Sequence, residues 1–414
     1  MYSLKNVRRI ILGSVLFICI IILFANLDVI LEQLTSKESQ SDGTPTSEPT
    51  ATQAPGPEAS YTSPGTFQRI AYVKEFGAYG DGINDDTQAV IRALNSGADA
   101  VVFEKGAVYK IRDYIIMERA GVTVLGRGAT LFTDNDYRAR EDYHEFFLHI
   151  MADDIRIEEL NIEARETILV GYKTQVGIQH ASDITIDRCS FTIPATVLSG
   201  GATHDIEYNN LDLFTGWHNV VIKNSVLTNL ADANAGVCAE FRDLHDNGAG
   251  GLVFTNNTCT SNCHDEIIAM FSGTKTTIRN VNITNNSINA IAGTVSKPRV
   301  IGISLGYDEY GLKDITFTGN TVNIYSEFAG VFMGGSKNIT INNNSIKYTA
   351  LPSAVSASLF RGTDKKKNIN VMGNHITLKN NALMDFVGIS DGKIYFGPNY
   401  ITGDISISDE IFVD

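Results

Sequence analysis

The segments VNITNNSI (281–288), ITFTGNTV (315–322) and ITINNNSI (339–346) share one pattern, apolar-x-apolar-x-x-Asn-x-apolar. It is equally clear in LVFTNNTC (252–259), INVMGNHI (369–376) and IYFGPNYI (394–401). Weaker copies are VTVLGRGA (122–129), IRIEELNI (155–162), ITIDRCSF (184–191) and VVIKNSVL (220–227). Period-2 alternation makes each copy a strand, a two-residue turn and a second strand. Copy starts lie between 24 residues apart (315 to 339) and 36 apart (184 to 220), a spacing that means a solenoid, propeller or array. A propeller blade needs four strands in about 40 residues. The closest copies leave room for only three short strands, which make one coil of a parallel β-helix. Coils stack roughly 4.8 Å apart, so Asn257, Asn286, Asn320, Asn344, Asn374 and Asn399, all at the sixth position, are expected to form a hydrogen-bonded ladder.

A third strand precedes each repeat: GVCAEF (236–241), EIIAMF (266–271), VIGISLG (300–306), AGVFMG (329–334), ASLFRG (357–362) and ALMDFVG (382–388). The loops around it vary most in length, which places the expected binding cleft there. Composition agrees with a strand-and-turn chain. Of 33 Asn, 27 lie from Asn209 onward, and Asn prefers turns to helices. The N-x-S/T triplets at Asn256, Asn282, Asn285, Asn338 and Asn343 are read as turn chemistry of the same kind. A net charge of −14, from 33 basic and 47 acidic residues, excludes the basic face of a nucleic-acid binder. It also leaves a polyanion no hold except where positive charge is locally concentrated. Cys19, Cys189, Cys238, Cys259 and Cys263 show no CxxC or zinc spacing and read as single thiols, with a Cys259–Cys263 bridge open to an extracellular domain. No metal and no cofactor is expected.

Four regions are expected along the chain. Residues 1–9 carry Lys5, Arg8 and Arg9 and form a cytoplasmic N-terminus. Residues 10–31 (IILGSVLFICIIILFANLDVIL) read as a single-pass transmembrane anchor, with a cleaved signal peptide ending at the weak Leu23-Phe24-Ala25 site as the alternative. Residues 32–66 are a Ser/Thr/Pro-rich linker that cannot bury enough apolar surface to fold. Residues 67–414 form the exported domain. The protein is thus expected in the cell membrane, with its C-terminal domain extracellular.

The domain opens with a strand at 73–76, a glycine-rich turn (77–82) and a helix running from the Asp85-Asp86-Thr87 cap to about Leu94. Strands follow at 101–103 and 108–111. An amphipathic helix over the first coil keeps its apolar interior from water. GAYGDGINDDTQAVIRAL (77–94) resembles the opening of the pectate-lyase-like superfamily, which includes rhamnogalacturonase and epimerase-like proteins, polygalacturonases and phage tailspikes. The resemblance runs from about Tyr72 to the C-terminus. It implies an all-β, single-stranded right-handed parallel β-helix with an N-terminal capping helix. It implies no single reaction, because members include hydrolases, lyases, epimerases and binding proteins.

The chemistry is expected around His264-Asp265-Glu266. Adjacent carboxylates at a turn can face one cleft and push each other's pKa apart, giving an acid and its ionised partner. HDEIIAMFSG (264–273) is similar to the polygalacturonase-type motif of paired aspartates before Cys-Ile-Ala-Ile-Lys-Ser-Gly, with Asp265 and Glu266 matching the pair. The rest of that family's site does not transfer. Asn234-Ala235-Gly236 stands where it has Asn-Thr-Asp, Ile301 near its cleft histidine, and Phe332-Met333-Gly334 near its uronate-gripping Arg-Ile-Lys. A neutral or amino-sugar polymer is therefore favoured, and a Ca²⁺-dependent lyase lacks its cleft Arg and Lys. Replacement partners lie one coil earlier in Glu240-Phe241-Arg242-Asp243-Leu244-His245-Asp246. Asp243 is the base candidate, at the roughly 6.5–9.5 Å an inverting hydrolase uses, and Glu240, Arg242 and His245 are substrate contacts. Tyr307 is placed above the same cleft for sugar stacking, and Trp217-His218 for the same role two coils earlier. Glycoside hydrolysis on a polysaccharide leads. A non-catalytic glycan-binding or wall protein, and a lyase or epimerase, stand as alternatives.

Overall fold

The structure is a computed structural model. It describes residues 67–403 apart from 138–145, 166–173, 196–208, 232–235, 244, 246, 263–265, 273–275, 292–298, 300, 307–311, 355–356, 363–367 and 388–392. All belong to the compact unit Thr62–Asp414.

Each repeat supplies one strand to sheet A, turns, and supplies the next to sheet B; the strand preceding the following repeat enters sheet C. Among the described residues sheets A and B hold twelve strands each and sheet C ten, in strict order along the chain and all parallel. Leu252 of Gly250–Thr255, for example, pairs with Val220 on one side and Val281 on the other. This is the expected right-handed parallel β-helix. Inward positions of all three sheets merge into one apolar core, from Val101 and Phe103 through Phe254 and Phe317 to Phe386 and Phe396.

The sixth-position Asn form the expected ladder. The backbone N–H of Asn257 donates to Oδ1 of Asn286 at 2.8 Å, and Asn286, Asn320, Asn344 and Asn374 each donate likewise to the next Asn, ending at Asn399. Each Nδ2 also donates at 2.8–2.9 Å to a carbonyl of the preceding coil, as Asn344 does to Phe317. These buried groups of the turn are thereby satisfied. Before five of the six ladder Asn the residue has positive φ, as at Asn256, Asn285 and Asn343 (55–57°) and Gly319 (70°), which explains the Asn or Gly there; Pro398 precedes the last. A second line of positive φ, at Gly121, Asp154, Asp183, Asn219, Gly251, Asn280, Asp314 and Asn338, falls immediately before the first eight repeats. Its members also bond between coils, as Asn338 to Asp314 at 2.7 Å and Asn368 to Asn338 at 3.0 Å.

The capping helix spans Thr87–Leu94 and buries Ala89, Val90, Ala93 and Leu94 in the core. Two details differ from expectation. Residues Val73–Phe76 form a 3-10 turn rather than a strand, closed by Gly77 at φ 91°, whose N–H returns to Lys74. Asp86 does not cap the helix with its side chain. Its carboxylate accepts from Tyr79 and Gly80 N–H, pinning the glycine turn, while Asp85 accepts from Thr87. Burial raises the Asp86 pKa against those hydrogen bonds.

Membrane anchoring is corrected. Among the described residues no helix is long and apolar enough to cross a membrane, and the single-pass cell-membrane placement is withdrawn. The segment 10–31 read as a transmembrane signal-anchor lies outside the described residues. Cys189, Cys238 and Cys259 are buried free thiols, and Cys263, the other half of the expected Cys259–Cys263 bridge, lies outside the described residues. Burial pushes the Cys189 thiol up to about 12.

Candidate functional site

Alternation along sheet C turns Leu211, Leu213, Ala239 and Phe241 into the core and their neighbours Asp212, Glu240 and Arg242 to the outer face. Asp212 pairs directly with Glu240 on the next strand. Arg242 bridges both. Its Nε lies 3.0 Å from Asp212 Oδ1 and 3.4 Å from Glu240 Oε2, and its Nη2 bonds Asp212 Oδ2, a bidentate grip that fixes the guanidinium plane. Asn209 donates to Glu240 Oε2 at 2.8 Å and accepts from Val237 N–H at 3.0 Å. Asp212 is fully buried, and Glu240 and Arg242 are 4% exposed. Two carboxylates thus share one guanidinium out of water.

Rings surround this cluster. The Arg242 guanidinium carbon stands 4.6 Å from the centre of the Phe214 ring, which meets His245 edge-on at 5.2 Å and Phe146 at 5.8 Å. Phe146 packs on His149, whose Nε2 is 3.1 Å from Gln179 Oε1. Phe146 fits there because Gly177 lies beneath it; a Cβ on Gly177 would sit 2.2 Å from the Phe146 ring. None of Asp212, Asn209, His149 or Phe146 was expected from the sequence. The available signal was the buried-polar string NNLDLF (209–214), which breaks the apolar alternation of its neighbours.

The structure separates Glu266 from its expected base. Asp243 pairs with Ser272, at the far end of the strand Ile268–Ser272 and six residues beyond Glu266. Asp243 is also fully buried and saturated. It accepts from Thr215 Oγ1 and Thr276 Oγ1, both at 2.7 Å, and from Gly248 N–H at 2.9 Å, with Asn247 and Gly216 N–H at 3.2 and 3.4 Å. That geometry belongs to a loop anchor. Glu240 pairs with Ala269, only three residues from Glu266, so it is the better-placed carboxylate. Glu266 is described and buried, while His264, Asp265 and Tyr307 lie outside the described residues. His245 is exposed. Trp217 is fully buried and donates its indole N–H to Arg242 O at 2.9 Å, a packing role rather than sugar stacking. Phe332, read as the lost uronate clamp, pairs directly with Arg361, so a cation stands one coil further on, its guanidinium over the Phe328 ring. Among the described residues no group of His, Cys, Asp and Glu is arranged to hold a metal.

No protein-family model and no curated protein matches the chain. Solved structures do. The A-module of the Azotobacter vinelandii mannuronan C-5 epimerase AlgE4 is similar at a TM-score of 0.53 and 15% identity, over 83% of this chain and 100% of that one. The DFA-IIIase of Arthrobacter chlorophenolicus A6 is similar at 0.49 and 11%, over 83% of this chain and 87% of that one. A Yersinia enterocolitica family 28 exopolygalacturonase is similar at 0.46 and 14%, over 83% and 79%. Three all-parallel sheets wound in one direction, and the backbone likeness to the epimerase module, give the chain the fold of a right-handed parallel β-helix.

Proposed function

We propose that the protein acts on a polysaccharide lying along the outer face of sheet C, by carboxylate-based glycoside hydrolysis. The observation that carries this reading is the buried Asp212–Arg242–Glu240 cluster on an outward face. Burying three charged groups there costs more than an apolar patch would, and stacking does not require it. Glu266 and Glu240 are the working pair, with Asp265 beside Glu266 in sequence. Glu240 pairs with Ala269, three residues beyond Glu266, which brings the two carboxylates to the same end of this face. Asn209 and Arg242 hold the Glu240 carboxylate in one orientation. Asp243 holds the loop that carries His245.

The test is reducing-end release from a panel of neutral, amino-sugar and acidic polymers. Glu240→Gln and Glu266→Gln should each lower the rate by about 10²–10⁴ with the melting temperature kept, the usual contribution of acid–base catalysis. Wild-type rates in both variants would remove the pair from the chemistry. Cleavage by none, with retention on a glycan column unchanged by either substitution, would favour a binding protein.

A further inference from the structure

Sheet A carries a surface that the sheet C reading does not use. Its strands Ile278–Thr284, Leu312–Thr318 and Lys337–Asn342 pair so that Arg279 lies directly opposite Lys313, and Lys313 directly opposite Lys337. Three cations thus stand in file, one per coil, at roughly 4.8 Å. Like charges directly opposite one another destabilise a sheet, so folding gives no reason for the file. Arg279 and Lys337 are exposed and Lys313 is half-buried. Among the described residues none of the three has an ion-pair or hydrogen-bond partner for its charge. The nearest acid in sequence, Asp314, is engaged by Asn338. In a chain of net charge −14, this is the local concentration of positive charge that a polyanion needs.

The file ends at a groove of about 500 Å³ on the same face, lined by Asn338, Thr340, Asn368, Asn370 and Tyr395. Asn338 follows Lys337 in sequence, and Thr340, Asn370 and Tyr395 form one row across three successive coils. Tyr395 is 45% exposed, and Asn370 Oδ1 is buried without a partner. An exposed phenol ring offers a flat apolar face to a pyranose, and amides take its hydroxyls.

We propose that sheet A binds a strand of acidic, carboxylate-bearing polysaccharide. Its charges sit on Arg279, Lys313 and Lys337, and its sugars run into the Tyr395 groove. The surface holds the polymer and performs no chemistry on it. Nucleic acid fits worse, because a duplex carries one charge per roughly 1.7 Å of axis and three cations neutralise too few phosphates to retain it at physiological salt.

Affinity electrophoresis of the full chain tests this with three probes: polygalacturonate, dextran and a DNA duplex. Polygalacturonate should retard the wild type in a salt-sensitive way, and dextran and DNA should not. Arg279→Gln, Lys313→Gln and Lys337→Gln combined should weaken that binding at least tenfold, with the melting temperature unchanged or raised because repulsion is relieved. Lys337→Gln alone and Tyr395→Ala should each weaken it about threefold, and Lys337→Arg should bind as the wild type. Glu240→Gln should also bind as the wild type, which separates this surface from the sheet C reading. Undiminished binding by the triple variant, equal retardation by dextran, tighter binding of DNA, or loss in Lys337→Arg would each overturn the proposal.

Discussion

In the turn between sheets A and B, one residue type recurs through six coils: Asn N–H bonds the next Asn Oδ1 in the first five, and Nδ2 reaches back to a carbonyl in all six. On the outer face of sheet C, nothing recurs in register. Asp212 is followed by Glu240 and then Ala269, and Arg242 by Phe271. Both regions are buried and polar, yet only the first repeats. Recurrence marks what stacking requires of every coil, and its absence marks groups placed for local chemistry. The N-terminal coils fit this view. Their ladder positions hold Leu160, Cys189 and Ser225, and the adjoining turns are tied instead by Arg188, which reaches Glu158 at 2.8 Å, Glu159 at 3.1 Å and Asp187 at 2.5 Å.

The comparison can be broken at several points. Arg242→Leu should have the largest effect, because it leaves Asp212 and Glu240 buried without their cation; a loss of about 3–5 kcal/mol in urea unfolding is expected. A loss below about 1 kcal/mol would mean the cluster is not desolvated. Asn344→Ala strands the Asn320 N–H and the Phe317 carbonyl and should cost about 3 kcal/mol, with turnover per folded molecule unchanged. Asn344→Ser, imitating Ser225, should recover part of that. Equal stability in the alanine variant would mean the ladder is decoration.

Cys189 occupies a ladder position without an amide, and its buried thiol titrates at about 12 against an ordinary 9.0. The folded chain keeps a proton that the unfolded chain releases, so the shift is neutral at low pH and costs stability only at alkaline pH. A raised thiol pKa opposes folding above about pH 9, where the unfolded chain ionises freely, and the loss grows as pH rises toward 12. Cys189→Ala should flatten the alkaline fall in unfolding free energy; an unchanged slope would assign the fall elsewhere. The smallest effects belong to the positive-φ position. Asn343→Gly should stay within about 0.5 kcal/mol of wild type, while Asn343→Ala should cost about 1 kcal/mol, since only the alanine opposes a φ of 55°.

The solenoid was legible because its chemistry is periodic. The alternation, the Asn at position six and the glycine-rich opening each repeat a physical demand, and the ladder follows from them. The second line of positive φ was visible as Asp, Asn or Gly before the first eight repeats and went unread, because those types also suit ordinary loops. The site was legible only in part. Alternation correctly put Glu240 and Arg242 on one face. It said nothing of register between coils, because loop lengths between strands are free, and so Asp243 was placed beside Glu266 when it stands at the far end of the strand. Asp212, 28 residues before Glu240, meets it only through coil stacking.

The most direct test of the central claim is a crystal structure of Glu240→Gln soaked with oligosaccharides of a polymer that the wild type cleaves. The account predicts sugar density along the outer face of sheet C, with a glycosidic oxygen between the introduced amide at position 240 and the Glu266 carboxylate. Sugar bound elsewhere, with that face of sheet C bare at saturating ligand, would contradict it.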